Sequence, residues 1–325
     1  TPCGTLFPYT TLFRSGITVW DPAVYEMEPL CGAKGIGSFY EGVLATDMLI
    51  IASARFRAYE RHPGTVDSIH EDNIRLVAHA VEHKRDMAAV MGDCIRRLRQ
   101  VPLTRGPRRP VVGVVGDIYS RINPIGNANL FRRLEAMGCE VWPHPYFAGY
   151  EDISRFRDTV RSWSREELGS AFFHLLAGGG LQGRAREIET GLGPDLAAHC
   201  SEPPPGVLSK LAEPYVGAYA NTLVQSNVGK IVDFIHRGAA GVINAVGLNC
   251  MVGIASDAAI RAIKRDAPLV PIITLAYGGY EGPSQRIRLE TFIHQVGGRL
   301  SGTADPDDSF GQSLKPQRKK IQPTA

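Results

Sequence analysis

Over the second half of the chain, short apolar runs alternate with stretches whose apolar residues recur at helical spacing. Val242-Ile243-Asn244-Ala245-Val246 carries no charge and ends at Gly247-Leu248-Asn249-Cys250, after which residues 254–265 follow a helical pattern. A second apolar run, residues 269–275, ends at Ala276-Tyr277-Gly278-Gly279 and leads into another helical pattern over 285–295. Strand, polar loop and helix are thus written twice, which predicts βαβ units on a parallel sheet. Residues 111–118 (Val-Val-Gly-Val-Val-Gly-Asp-Ile) predict a buried strand, 128–137 a helix stopped by Gly138, and 139–143 a further strand. The expected fold class is α/β, a parallel-sheet domain of flavodoxin or Rossmann type preceded by a helical layer.

That helical layer is read from residues 38–60 and 66–99. In the first, Ser38 with Glu41 three positions on forms a capping-box pattern, and Pro63-Gly64 provides a stop. In the second, Ile74, Val77, Val81, Val90, Met91, Cys94 and Leu98 lie on one face of a single long helix. Residues 16–37 read as loop, 150–192 as two helical pieces broken by Gly178-Gly179-Gly180, 197–206 as a turn-rich crossing, and 207–236 as two helical segments. The basic, proline-rich stretch 102–110 reads as a linker. The expected domains are therefore a mainly helical segment (16–101), an α/β domain (110–300) and a disordered, charged tail (301–325). Residues 6–15, Leu-Phe-Pro-Tyr-Thr-Thr-Leu-Phe-Arg-Ser, look like a translated sequencing adapter, so residues 1–15 are set aside as an artefactual leader. The native reading then begins near Gly16, as an N-terminally truncated piece of a larger protein.

Composition narrows the chemistry. At 325 residues and 44% hydrophobic content, the chain has the material for a sizeable core. A net charge of +3 gives no argument for nucleic acid. No apolar run approaches the roughly 20 residues that span a bilayer. Six scattered cysteines without CxxC spacing do not form a disulfide framework, which favours a reducing, cytoplasmic setting.

Ligands of open parallel sheets gather at the carboxyl ends of the strands, so Cys250 and Tyr277 are the first residues to consider. Cys250 is a metal-ligand candidate or a structural thiol; Tyr277 is a pocket wall or a strand-end aromatic. Gly113 and Gly116 lack the GxGxxG spacing of a dinucleotide loop, yet Gly116-Asp117 with Arg121 and Asn127 has the character of a ligand loop. Arg121 suits bidentate binding of a phosphate or carboxylate, or pairing with a surface acid. Cys200, in an acidic and proline-fixed stretch, is a weaker ligand candidate, and Cys31 a weaker one still. Arg57-Ala58-Tyr59-Glu60 reads as an anion site or as an ordinary helix end. His79 and His83, at i and i+4, have the spacing to share a metal; without an HExxH pattern a solvated helix face is the plainer reading.

Three motifs occur in a fixed order: Arg57-Ala58-Tyr59-Glu60 with Gly64; Gly116-Asp117-Ile118-Tyr119-Ser120-Arg121 through Asn127; and Gly241-Val242-Ile243-Asn244 through Asn249-Cys250-Met251-Val252-Gly253, then Ala276-Tyr277-Gly278-Gly279 and Arg288-Leu289-Glu290-Thr291-Phe292. Together they resemble the 2-hydroxyacyl-CoA dehydratase D-component family, and most of all the C-terminal part of proteins that fuse an acyl-CoA dehydratase activase to such a component. The resemblance implies a cytoplasmic iron–sulfur protein of anaerobic bacteria. In it a cysteine-held [4Fe-4S] cluster passes one electron to an acyl-CoA substrate and water is lost, with an ATP-dependent activase domain or subunit as partner. It implies Cys250 as a cluster ligand and Arg121, Asn127, Tyr277 and Arg288 as substrate-binding positions. It implies no nucleic-acid or membrane partner and is compatible with a dimer. A non-catalytic scaffold or interaction domain of such a fusion is the alternative. The chain departs from the family pattern at Val252, where the family has proline, at Gly247-Leu248 in place of Pro-Phe, at Gly278 in place of an acid, and at Asp117 in place of glutamate.

Overall fold

In the computed structural model of the chain, the residues described are 24–146, 183–203, 206–217, 220–278 and 283–301, with side chains described within 37–297 except at 283. The chain divides into two compact units, 1–40 and 41–325. The first helix is α1 (Val24–Arg57).

Four strands make one sheet: β1 (Val111–Gly116), β2 (Glu140–Pro143), β3 (Gly241–Gly247) and β4 (Ile272–Tyr277). Their order is β2-β1-β3-β4 and every pairing is parallel. Val114 sits beside both Pro143 and Ile243, and Ala245 beside Leu275. Parallel strands need crossovers, and here these are helical: α4 (Ile118–Ile122) and α5 (Leu130–Ala136) join β1 to β2, and α9 (Met251–Asp266) joins β3 to β4. Between β2 and β3 lie α6 (Pro194–Cys200), α7 (Val207–Val216) and α8 (Thr222–His236). After β4 comes α10 (Pro283–Ser301). The α/β class and the all-parallel sheet expected from the sequence are both present.

The alternating strand residues face two different cores. Val111, Val115, Trp142, Val242 and Ile272 pack with α8, α9 and the helices before the sheet. Val112, Val114, Val141, Ile243, Ala245 and Leu275 pack with Leu130 and Leu134 of α5 and with Leu289, Phe292 and Val296 of α10. Both faces are thus covered, which is why the strands read as nearly continuous apolar runs. Leu44 and Met91, from before the 102–110 stretch, share the first core with Phe234 and Val242 from beyond it. The proline-rich segment therefore crosses within the larger unit.

Several boundaries differ from the sequence expectation for identifiable reasons. The 66–99 pattern is two helices, α2 (Thr65–Glu82) and α3 (Met87–Arg99). Lys84 adopts a left-handed conformation (φ 49°) and the Asp86 carboxylate accepts from Ala88 N at 3.0 Å, so the chain stops and restarts while keeping its apolar face in phase. Ser38 does not begin a helix, because α1 already runs through it from Val24. The turn-rich crossing expected at 197–206 begins as helix α6, started by Pro194 in its first turn. The adapter-like leader, the tail beyond residue 301 and most of the 150–192 stretch lie outside the described residues. No described helix is long and apolar enough to cross a membrane.

Candidate functional site at the carboxyl edge of the sheet

The chain leaves β1 towards β2 on one side and places β3 on the other. In sheets of this type the crevice at such a switch lies between the carboxyl ends of the two central strands. Gly116 ends β1 at φ +133°, and a Cβ there would come within 1.7 Å of Ala245 O, so only glycine lets the two strand ends approach this closely. The next residue, Asp117, binds both sides of the crevice. One carboxylate oxygen accepts from Ser120 N at 2.9 Å and caps α4; the other accepts from Gly247 N at the end of β3. Two of the N–H groups at the strand ends, those of Ser120 and Gly247, are thereby already filled by the protein's own carboxylate.

The two polar residues expected on this loop serve the loop itself. Arg121 is buried, and its guanidinium donates to Gly116 O at 3.1 Å and to the carbonyls of Pro145 and Tyr146, clasping the ends of β1 and β2. Asn127 is buried as well; its amide donates to Ser120 O at 2.9 Å and its carbonyl accepts from Leu130 N at 3.1 Å, which starts α5. Tyr277 is buried in the core on the α5/α10 face, and its backbone carbonyl accepts from Leu248 N at 2.8 Å. Arg288, on α10, donates to Thr274 O at 2.8 Å.

Cys250 stands at the N-cap of α9, just past β3, with its side chain half-buried and making no cap hydrogen bond. It touches the edge of the larger core. Around it the loop and first turns of α9 expose Leu248, Met251 and Ile254, at 66%, 58% and 65%. Among cysteines whose side chains are described, the other three are buried. Burial pushes the Cys94 and Cys139 thiols up to about 11 and the Cys200 thiol up to about 12, so at neutral pH all three are protonated and poor metal ligands. Among the described residues no group of three or more His, Cys, Asp or Glu side chains is arranged to hold a metal. Cys31 lies in α1, with its side chain outside the described set.

The Arg57-Ala58-Tyr59-Glu60 motif is structural in every polar member. Arg57 forms a double contact with Glu135 at 2.9 Å and reaches Asp67 at 3.4 Å. Tyr59 donates to Glu140 at 3.0 Å, and the Glu60 carboxylate accepts from Gly64 N and Val66 N at the start of α2.

Beneath the crevice, on the α8 face, lies a polar layer not anticipated from the sequence. Asn227 accepts from Gly116 N at 2.7 Å and donates to Asn244 and Ser256, and Asn244 donates to Thr274, so one chain of side chains crosses β1, β3 and β4. Lys230 is fully buried, 2.7 Å from both Glu202 oxygens and 2.9 Å from Asp233, with its ammonium 4.7 Å from the Phe234 ring centre. His199 stacks on Trp142 at 4.3 Å and lies 3.8 Å from Glu140. His144, just past β2, is buried with neither ring nitrogen hydrogen-bonded among the described residues. The signal for Lys230 was its spacing: Lys230, Asp233 and Arg237 follow i, i+3, i+7, a spacing that also fits a solvated helix face.

No known protein family, no curated protein and no solved structure matches this chain.

Proposed function

We propose that the chain is part of a 2-hydroxyacyl-CoA dehydratase-like iron–sulfur protein, built on a flavodoxin-like sheet and served by an ATP-dependent activase. The order β2-β1-β3-β4 agrees with the first four positions of the flavodoxin-like order 2-1-3-4-5. The observation that carries the reading is Cys250: a cysteine only partly buried, at the carboxyl end of a central strand beside the switch point, where its counterpart in the resembling family binds the cluster. Iron–sulfur clusters are held by cysteine thiolates. Cys250 suits that role, whereas the buried thiols of Cys94, Cys139 and Cys200 do not. The described residues therefore supply one ligand and not a complete set, and in this reading the others come from outside them. Arg121 and Asn127 act as positioning residues that hold the strand-end loop, rather than as groups that touch the acyl-CoA.

A second reading, a scaffold domain that docks the activase without chemistry of its own, is favoured by a different observation. The carboxylate of Asp117 occupies the Ser120 and Gly247 donors while Leu248, Met251 and Ile254 stay exposed beside it. Iron and acid-labile sulfide content after anaerobic purification separates the two. The first reading expects cluster absorption that Cys250→Ser abolishes. A colourless, iron-free protein that still binds its activase would replace it with the second.

A further inference from the structure

The exposed end of α2, far in sequence from the strand-end loops, carries two histidines one helical turn apart. His79 and His83 stack face to face, with ring centres 3.9 Å apart and planes 18° apart. Both are exposed. The His83 Nδ1 lies 2.9 Å from the backbone carbonyl of His79. A carbonyl only accepts, so Nδ1 carries the proton in that contact and the neutral ring keeps its lone pair on Nε2. Histidines that ligate metals have this arrangement: one ring nitrogen donates to a carbonyl or carboxylate, which fixes the tautomer and aims the other at the ion.

We propose that His79 and His83 form a two-imidazole clamp for a divalent transition-metal ion, with water completing the coordination. The separation suits it. A tetrahedral ion with bonds of about 2.0–2.1 Å brings two ligand nitrogens to about 3.3 Å from one another. In the stack the two ring planes are nearly parallel, so the imidazoles must turn about χ1 and χ2 to bring both Nε2 lone pairs onto one ion; both side chains are exposed, and this rotation does not require the backbone to move. The position suits it too, since a cation here sits at the negative pole of an 18-residue helix. The His83 backbone N–H also donates to the His79 carbonyl, at 3.0 Å, so two bonds from His83 pin the register of the pair. The charged neighbours in sequence are of both signs: Glu82 precedes His83, Lys84 follows it, and Arg75, one turn before His79, is already paired with Asp72 and Glu71. Neither sign dominates, so the imidazoles decide the selectivity. Nitrogen donors of this kind prefer copper, nickel and zinc to magnesium or calcium, with Cu²⁺ bound most tightly.

The test is titration of the metal-free full chain with Cu²⁺ and with Zn²⁺ near neutral pH, followed by calorimetry and, for copper, by electron paramagnetic resonance. One site with two equivalent nitrogen ligands is expected. His79→Ala and His83→Ala should each weaken that site by about tenfold or more, and both should keep the wild-type circular dichroism spectrum because the side chains are exposed. A wild-type titration indistinguishable from those of the two variants, or a copper spectrum with a single nitrogen ligand, overturns the proposal and leaves a ring stack only.

Discussion

His144 and His199 are the residues whose surroundings most constrain the protein's behaviour. Burial holds both imidazoles well below their usual range; the charges of Arg121 and Lys230 add to the effect at His144, and those of Arg55 and Arg237 at His199. A base whose folded pKa is depressed stays neutral in the native state, while the unfolded chain binds a proton below about pH 6.5. The stabilisation is therefore complete above that pH and is lost as the pH falls towards the depressed folded values. Glu189, whose carboxyl is raised by burial, acts in the opposite sense: its contribution is present in acid and is lost as the pH rises from the usual carboxylate value through the raised one. Urea unfolding at about pH 7 and about pH 5.5 should differ by on the order of 2 kcal/mol. Replacing both histidines by asparagine should flatten that difference; an equal slope in the double variant would refute the assignment. None of this was legible in the sequence, where His144 is one residue in a Pro-His-Pro turn and His199 part of a short helix. Their burial depends on Trp142 and on α8, which lies many residues away.

At the scale of elements, one side chain ties the carboxyl end of β1 to that of β3. Asp117 accepts from the first turn of α4 and from the end of β3 at once. Asp117→Ala leaves two backbone N–H groups without their acceptor and should cost about 2 kcal/mol, read from the urea midpoint. Asp117→Asn keeps one good acceptor and should cost about half as much. A cost below about 0.5 kcal/mol for the alanine variant would show that solvent takes over both donors. The strands themselves were legible, because β1 and β3 are apolar, valine- and isoleucine-rich runs buried on both faces and closed by glycine, and β4 is a shorter apolar run of the same kind. Helix limits were less so. The break at Lys84 and Asp86 hides inside an unbroken apolar stripe, and the continuation of α1 back through Gly32, Gly35 and Gly37 contradicts the turn-forming habit of those residues. A glycine weakens a helix by about 1 kcal/mol but removes no hydrogen bond, so it does not end one.

At the scale of the molecule, the two-sided cover of the sheet sorts the cysteines. Cys94, Cys139 and Cys200 lie inside the cores, and Cys250 stands at the rim. Timed alkylation of the native protein, followed by peptide mass spectrometry, should label Cys250 within the period in which those three remain untouched, and all four should react once the chain is unfolded in urea. Protection of Cys250 equal to that of Cys200 would remove the footing of the iron–sulfur reading. The placement of Cys250 at a strand's carboxyl end was legible from the repeated strand–loop–helix pattern. The internal use of Arg121 and Asn127 was not, since a sequence does not distinguish a guanidinium that meets a ligand from one that closes its own backbone. The buried ammonium of Lys230 bears on how the chain is made. Its partner Glu202 lies 28 positions earlier, so a nascent chain already holds the counter-ion when the lysine leaves the ribosome. The strand β3 that seals the sheet against α8 has yet to emerge at that moment, and the ion pair can close before those apolar residues arrive.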